Sequence, residues 1–109
     1  MSEFEFLISK AEIAYKSGKA ADAVRWAKRA LGECEGVSRK IALRIFIARC
    51  YSKLGKYKES NKVYRELLHE QIYIAPVVMG LFYNNFQIAR VEKLKLNLVL
   101  VKSCLLLQR

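Results

Sequence analysis

Residues 41–72 read IALRIFIARCYSKLGKYKESNKVYRELLHEQI. Ile41, Ile45, Ala48 and Tyr51 recur at intervals of three and four, which places them on one face of a helix. Ser38 is suited to the N-cap and Gly55 to the stop, so the spacing predicts a helix over 39–54. After Lys56 the period resumes with Tyr57, Ser60, Val63, Tyr64, Leu67 and Leu68, predicting a second helix over 57–70. Two helices joined by so short a turn must run antiparallel, as a hairpin.

Upstream, Phe4, Leu7, Ile8, Ala11, Ala14 and Tyr15 predict a helix over 3–16, which Ser17, Gly18 and Lys19 interrupt. Ala20, Ala23, Ala27, Ala30 and Leu31 then line one face of a helix over 20–34, ending around Gly32 and Gly36. Aligning Gly18 with Gly55 exposes a repeat of 37 residues, the mark of a stacked helical array. Downstream, Pro76 can occupy the first turn of a fifth helix over 76–89. Beyond it Leu94, Leu96, Leu98 and Leu100 alternate like a strand, but Val99 and Val101 break the alternation. A helix is preferred there, because the rest of the chain is helical and no strand partner is visible. The expected fold is all-α, with antiparallel helix hairpins stacked as a short array. The 109 residues form one domain, with hairpins at 4–36 and 38–72 and a degenerate repeat or capping segment at 73–109.

In the second hairpin Ala48, Tyr51, Leu54, Gly55, Tyr57, Tyr64 and Leu68 stand at the spacings of the tetratricopeptide motif, and residues 41–72 resemble that family. The first copy shares Ala11, Gly18, Ala23, Ala27, Ala30 and Leu31. It departs at Lys10, at Ala14 and in a join three residues longer. In the second copy Ser60 replaces an alanine and the closing proline is absent; residues 73–109 keep only Gly80 and Tyr83 at compatible places. The resemblance implies that the first helix of each hairpin lines a concave groove for a partner's peptide or helix. Carried across, Ile8, Glu12, Tyr15 and Lys16 line it in the first copy, and Ala42, Ile45, Arg49, Ser52 and Lys53 in the second. The family's clamp for a C-terminal carboxylate needs asparagines and lysines, whereas Glu12 and Arg49 hold the equivalent places, so that clamp is not expected.

Twenty Lys and Arg against ten Asp and Glu give a net charge of +10, which favours anionic partners. Only the first helix is acidic, through Glu3, Glu5 and Glu12. Lys19, Arg25, Lys28, Arg29, Arg39 and Lys40 are candidate phosphate contacts. The tyrosines, however, sit where repeat packing needs them and form no stacking row. Trp26 is read as packing laterally on a neighbouring helix. Cys34, Cys50 and Cys104 suit neither a disulfide framework nor a zinc site and are expected as buried thiols. His69 stands alone, no glycine-rich phosphate loop exists, and Glu59 and Glu66 lie among lysines, so no catalytic, metal or cofactor site is expected. The first residues, Ser2 to Phe6, are acidic and aromatic, unlike a secretory leader, and no apolar run reaches about 20 residues. An intracellular protein without a membrane span is expected.

These features point to a non-enzymatic module that binds a protein within a larger complex, with a small RNA-associated or ribosome-associated protein as the alternative. The tail over 91–107, with Leu94, Leu96, Leu98, Leu100 and Leu105, carries more apolar surface than two hairpins can cover. It is expected to dock on a partner subunit or a second copy, with Lys95, Asn97 and Lys102 at the rim; the other course open to it is to fold back and complete the core.

Overall fold

The computed structural model describes residues 2–108 and is all-α, with no strand among them. Five helices follow one another, α1 (Glu3–Lys16), α2 (Ala20–Gly32), α3 (Val37–Lys53), α4 (Tyr57–His69) and α5 (Ala75–Leu107), and each packs on the next. Ser2 caps α1 by accepting the Glu5 N–H at 3.2 Å, and Glu3 and Glu5 place negative charge at the positive end of its dipole. α3 starts two residues earlier than its sequence suggests: Gly36 is its N-cap, and Ser38 lies inside the first turn with no capping bond.

The 37-residue repeat is visible in the backbone. At the end of α1 the Lys19 N–H donates to Ala14 O at 2.8 Å and Gly18 N–H to Tyr15 O at 3.2 Å. At the end of α3 Lys56 N–H donates to Tyr51 O at 2.9 Å and Gly55 N–H to Ser52 O at 3.0 Å. Both are Schellman turns, which need a left-handed residue at their pivot. Gly18 and Gly55 supply it, with φ of 80° and 77°.

Two core clusters stack along the array. Leu7, Ala11, Ala23, Ala27 and Ala30 meet Leu43, Ile47 and Cys50 in the first, where the alanines let α1, α2 and α3 approach closely. Ala48, Tyr64, Leu67 and Val77 form the second, flanked by Ile41, Ile45 and Leu68. α3 therefore buries two faces, only one of which its strongest periodicity marks. Full burial of each large apolar side chain contributes about 1.5–3 kcal/mol. Across the outer surface Arg44 forms a two-pronged bond with the carboxylate of Glu70, with Nη1 donating to Oε1 at 3.0 Å, and ties α3 to the end of α4. That bond holds the Glu70 carboxyl below its ordinary value and the Arg44 guanidinium above its own.

α5 begins with Pro76 in its first turn and closes on α4 through Val77, Gly80 and Asn84. A Cβ on Gly80 would lie 2.3 Å from Tyr64 Cζ, so glycine is required for this approach. Beside that contact a buried polar network joins three helices. Asn84 Nδ2 donates to Ser60 Oγ at 2.8 Å and to Asn61 Oδ1 at 2.9 Å, while Ser52 Oγ donates to Asn84 Oδ1 at 2.8 Å. Ser60 Oγ in turn donates to Ala48 O at 2.7 Å, and Asn61 Nδ2 to Asn85 Oδ1 at 3.0 Å.

The C-terminal part departs furthest from the sequence reading. Instead of a helix over 76–89 and a separate segment, α5 runs unbroken for 33 residues. No glycine or proline follows Gly80 to stop it, and the alternation of Leu94, Leu96, Leu98 and Leu100 is overridden by helical propensity on both sides. Nor does the tail fold back, since every residue from Ala89 to Gln108 is exposed. The molecule is accordingly elongated, with a radius of gyration of 18.2 Å, against roughly 13 Å for a globule of this length. No helix among the described residues is long and apolar enough to cross a membrane.

Gly80→Val forces Tyr64 off its rotamer and should cost about 1–3 kcal/mol. Asn84→Leu leaves Ser60, Asn61 and Ser52 groups unpartnered and should cost about 1–3 kcal/mol for each group that water cannot reach. Both are read as a lower urea midpoint with helix content retained in buffer; unchanged midpoints would refute these packing roles.

Candidate partner-binding groove

α1, α3 and the first half of α5 line an open groove with a hollow toward each end. Helices α1 and α3 run the same way along it, because the α2 hairpin between them reverses the chain twice. At the end near the N-termini of α1 and α3, a cavity of about 540 Å³ is bounded by Phe4, Ile8, Ala42 and Phe46, with Glu5, Glu12, Glu33, Glu35 and Arg39 around it. At the other end, a cavity of about 470 Å³ lies among Tyr15, Arg49, Ser52, Lys53, Met79 and Tyr83, floored by Tyr64, Gly80 and Asn84. Tyr15 and Phe46, with ring centroids 5.5 Å apart, separate the two hollows.

The structure brings together most of the residues that the resemblance assigns to this surface. Ile8, Glu12 and Ala42 line the first hollow; Tyr15, Arg49, Ser52 and Lys53 line the second. Two do not belong. Ile45 is half-buried against the second core cluster, and Lys16, exposed at the end of α1, lines neither hollow. An i, i+3 or i, i+4 spacing names a face about 100° wide, and residues at its edges turn into the core or away from the groove. The contribution of α5, through Pro76, Met79 and Tyr83, escaped the sequence reading; the only signal was Gly80 and Tyr83 at repeat-compatible places.

The groove is electrically polarised. Among the described residues the ion pairs are Arg25–Asp22 and Arg44–Glu70, so Arg49 and Lys53 are neutralised by no carboxylate. The Lys53 ammonium sits 4.3 Å from the Tyr15 ring centroid, a cation–π contact that holds the charge at the mouth of the second hollow. Carboxylates predominate at the opposite end.

The candidate phosphate contacts do not converge on one site. Arg25 is paired with Asp22; Lys28, Arg29 and Arg39 lie over the rings of Tyr51, Trp26 and Phe4 at 5.5, 5.2 and 5.6 Å. Lys19 and Lys40 are exposed at the starts of α2 and α3. Trp26 is half-buried, packing edge-on against Phe6 at 6.3 Å. His69 is exposed beside Lys62, Arg65, Glu66 and Glu70. Among the described residues no three His, Cys, Asp or Glu side chains gather as a metal set.

Cys34 and Cys50 are buried, but Cys104 is exposed on the free half of α5, contrary to the expectation of three buried thiols. Burial pushes the Cys50 thiol up to about 11, with Arg49 and Lys53 offsetting only part of that rise. Because the folded value lies above the ordinary one of 9.0, the protonated thiol favours the folded state, and this stabilisation is lost as pH rises from about 9 toward 11. At pH 8 iodoacetamide should modify Cys104 rapidly and Cys50 only after unfolding, as checked by mass spectrometry of tryptic peptides; equal rates at the two would refute the burial. In comparisons with known proteins the chain matches no family model, no curated protein and no solved structure.

Proposed function

We propose that this protein is a non-enzymatic, intracellular interaction module, an adaptor or assembly subunit of tetratricopeptide-like design, whose groove takes a peptide or helix of a larger protein complex. The observation that carries this reading is the basic end of the groove. There Arg49 and Lys53 stand without a carboxylate partner above an apolar hollow walled by Tyr15, Met79 and Tyr83. Aromatic walls contribute affinity through buried area, and the two cations fix the orientation of an acidic group on the partner. Both cations are exposed, so their value lies in specificity more than in affinity.

The net charge of +10 favours a second reading, a small basic protein bound to RNA. Less favourable to it is the placement of Arg25, Lys28, Arg29 and Arg39, each already engaged with a carboxylate or a ring.

Affinity purification with quantitative mass spectrometry, run in parallel on the wild type and the Arg49→Glu, Lys53→Glu double variant, tests the groove. The expected outcome is a defined protein partner whose recovery falls at least tenfold in the variant while helix content is unchanged. Recovery that is equal in both variants counts against the groove. Sedimentation with ribonucleoprotein that nuclease abolishes, and that falls steeply with salt, would favour the RNA reading instead.

A further inference from the structure

The groove carries opposite charge at its two ends, and neither charge is neutralised within the chain. At the first hollow Glu5, Glu12, Glu33 and Glu35 face Arg39 alone, whose guanidinium lies over the Phe4 ring. None of these carboxylates forms an ion pair among the described residues. The walls beneath them are apolar, from Phe4, Ile8 and Phe46. The second hollow has no carboxylate; Arg49 and Lys53 stand over walls of Tyr15, Met79 and Tyr83. An apolar wall under a charged rim suits a side chain that lays its methylenes on the wall and carries the opposite charge at its tip.

The second hollow also holds a donor. Tyr64 is only 2% exposed, yet it floors this hollow beside Gly80. Its hydroxyl has no hydrogen-bond partner among the described residues, and no buried side-chain oxygen among them lacks one, so the hydroxyl is the part of Tyr64 that opens into the hollow. Burial raises this phenol above its ordinary value, which keeps it protonated at neutral pH.

We propose that the occupant of the groove is a helix of the partner protein running antiparallel to α1 and α3, with a glutamate in the second hollow and, seven or eight residues later, a lysine or arginine in the first. This rests on the groove being the binding surface and specifies the direction and chemistry of what it holds. The glutamate carboxylate meets Arg49 and Lys53 at the rim and accepts from the Tyr64 hydroxyl at the floor. The residues lining the two hollows are centred about seven positions apart on α1 and about nine on α3, a separation of ~10–13 Å along the groove. In a helix, spacings of seven and eight cover that distance and return both side chains to one face. The direction follows from the dipoles. The C-termini of α1 and α3 lie at the basic end, where the N-terminus of an antiparallel helix opposes them, and a carboxylate is favoured in that helix's own first turn. A parallel helix matches the charges only with its cation first and its carboxylate last, against its own dipole and beside two others of the same sense.

The test is selection of a phage-displayed library of random 16-residue peptides on the full chain, followed by fluorescence anisotropy with synthetic peptides. Enriched peptides should carry an acidic residue seven or eight positions before a basic one and become helical on binding. Exchanging those two residues should weaken binding at least tenfold in about 50 mM salt and far less in about 500 mM. Tyr64→Phe, which keeps the ring against Gly80, should weaken the selected peptide at least threefold. The four changes Arg49→Glu, Lys53→Glu, Glu12→Lys and Glu35→Lys, all at exposed positions, should make the exchanged peptide the tighter binder at unchanged helix content. Peptides that need Arg49 and Lys53 but place the base before the acid, space the charges as an extended strand does, or ignore Tyr64→Phe would overturn the proposal and leave the groove standing. If no enriched peptide depends on Arg49 and Lys53, the groove reading itself falls, and this inference with it.

Discussion

The position of α5 depends on one buried side chain. Asn84 is wholly inaccessible, and its amide and carbonyl are both used, toward Ser60 and Asn61 of α4 and Ser52 of α3. A buried polar network is favourable only when every member is satisfied, and no buried side-chain nitrogen or oxygen among the described residues lacks a partner. Such a network tolerates little sliding or rotation, because a shift of one residue would strand several groups at once. Gly80 adds the steric half of the constraint by admitting the Tyr64 ring against the α5 backbone.

The groove follows from that placement. Pro76, Met79 and Tyr83 wall its basic end only because the Asn84 network and the Gly80 contact fix the rotation of α5 about its axis. Arg49 and Lys53 are presented by α3 one turn apart, and Tyr15 from α1 backs Lys53. The acidic end is contributed by α1 and by the link after α2. Charge separation along the groove thus arises from the parallel run of α1 and α3, which sets the acidic start of α1 and the basic finish of α3 at opposite ends.

The tail obeys the opposite logic. Within the array, apolar residues lie on faces that a neighbour covers; beyond Ala89 they lie on almost every side of a helix that nothing in the chain covers. A helix apolar all round is characteristic of a core, and this exposure is what supports reading this half of α5 as a docking segment.

Much of the fold was legible in the sequence because its signals are local. The hairpins over 3–32 and 37–69 follow from 3.6-residue periodicity, and the turns at Gly18 and Gly55 from the left-handed pivot that only glycine adopts freely. Most of the residues lining the candidate groove on α1 and α3 are ones that the tetratricopeptide resemblance implied. What the sequence could not decide needs two elements to meet. Ser60 read as a departure from an alanine position, and nothing in the sequence singled out Asn61 or Asn84 until α4 and α5 brought them together. The continuity of α5 was equally hidden, since a leucine alternation reads as strand unless the flanking turns are already helical. Tertiary structure decided these points because a buried hydrogen bond, or a glycine opposite a tyrosine ring, is a relation between residues more than ten positions apart, and periodicity records only neighbours.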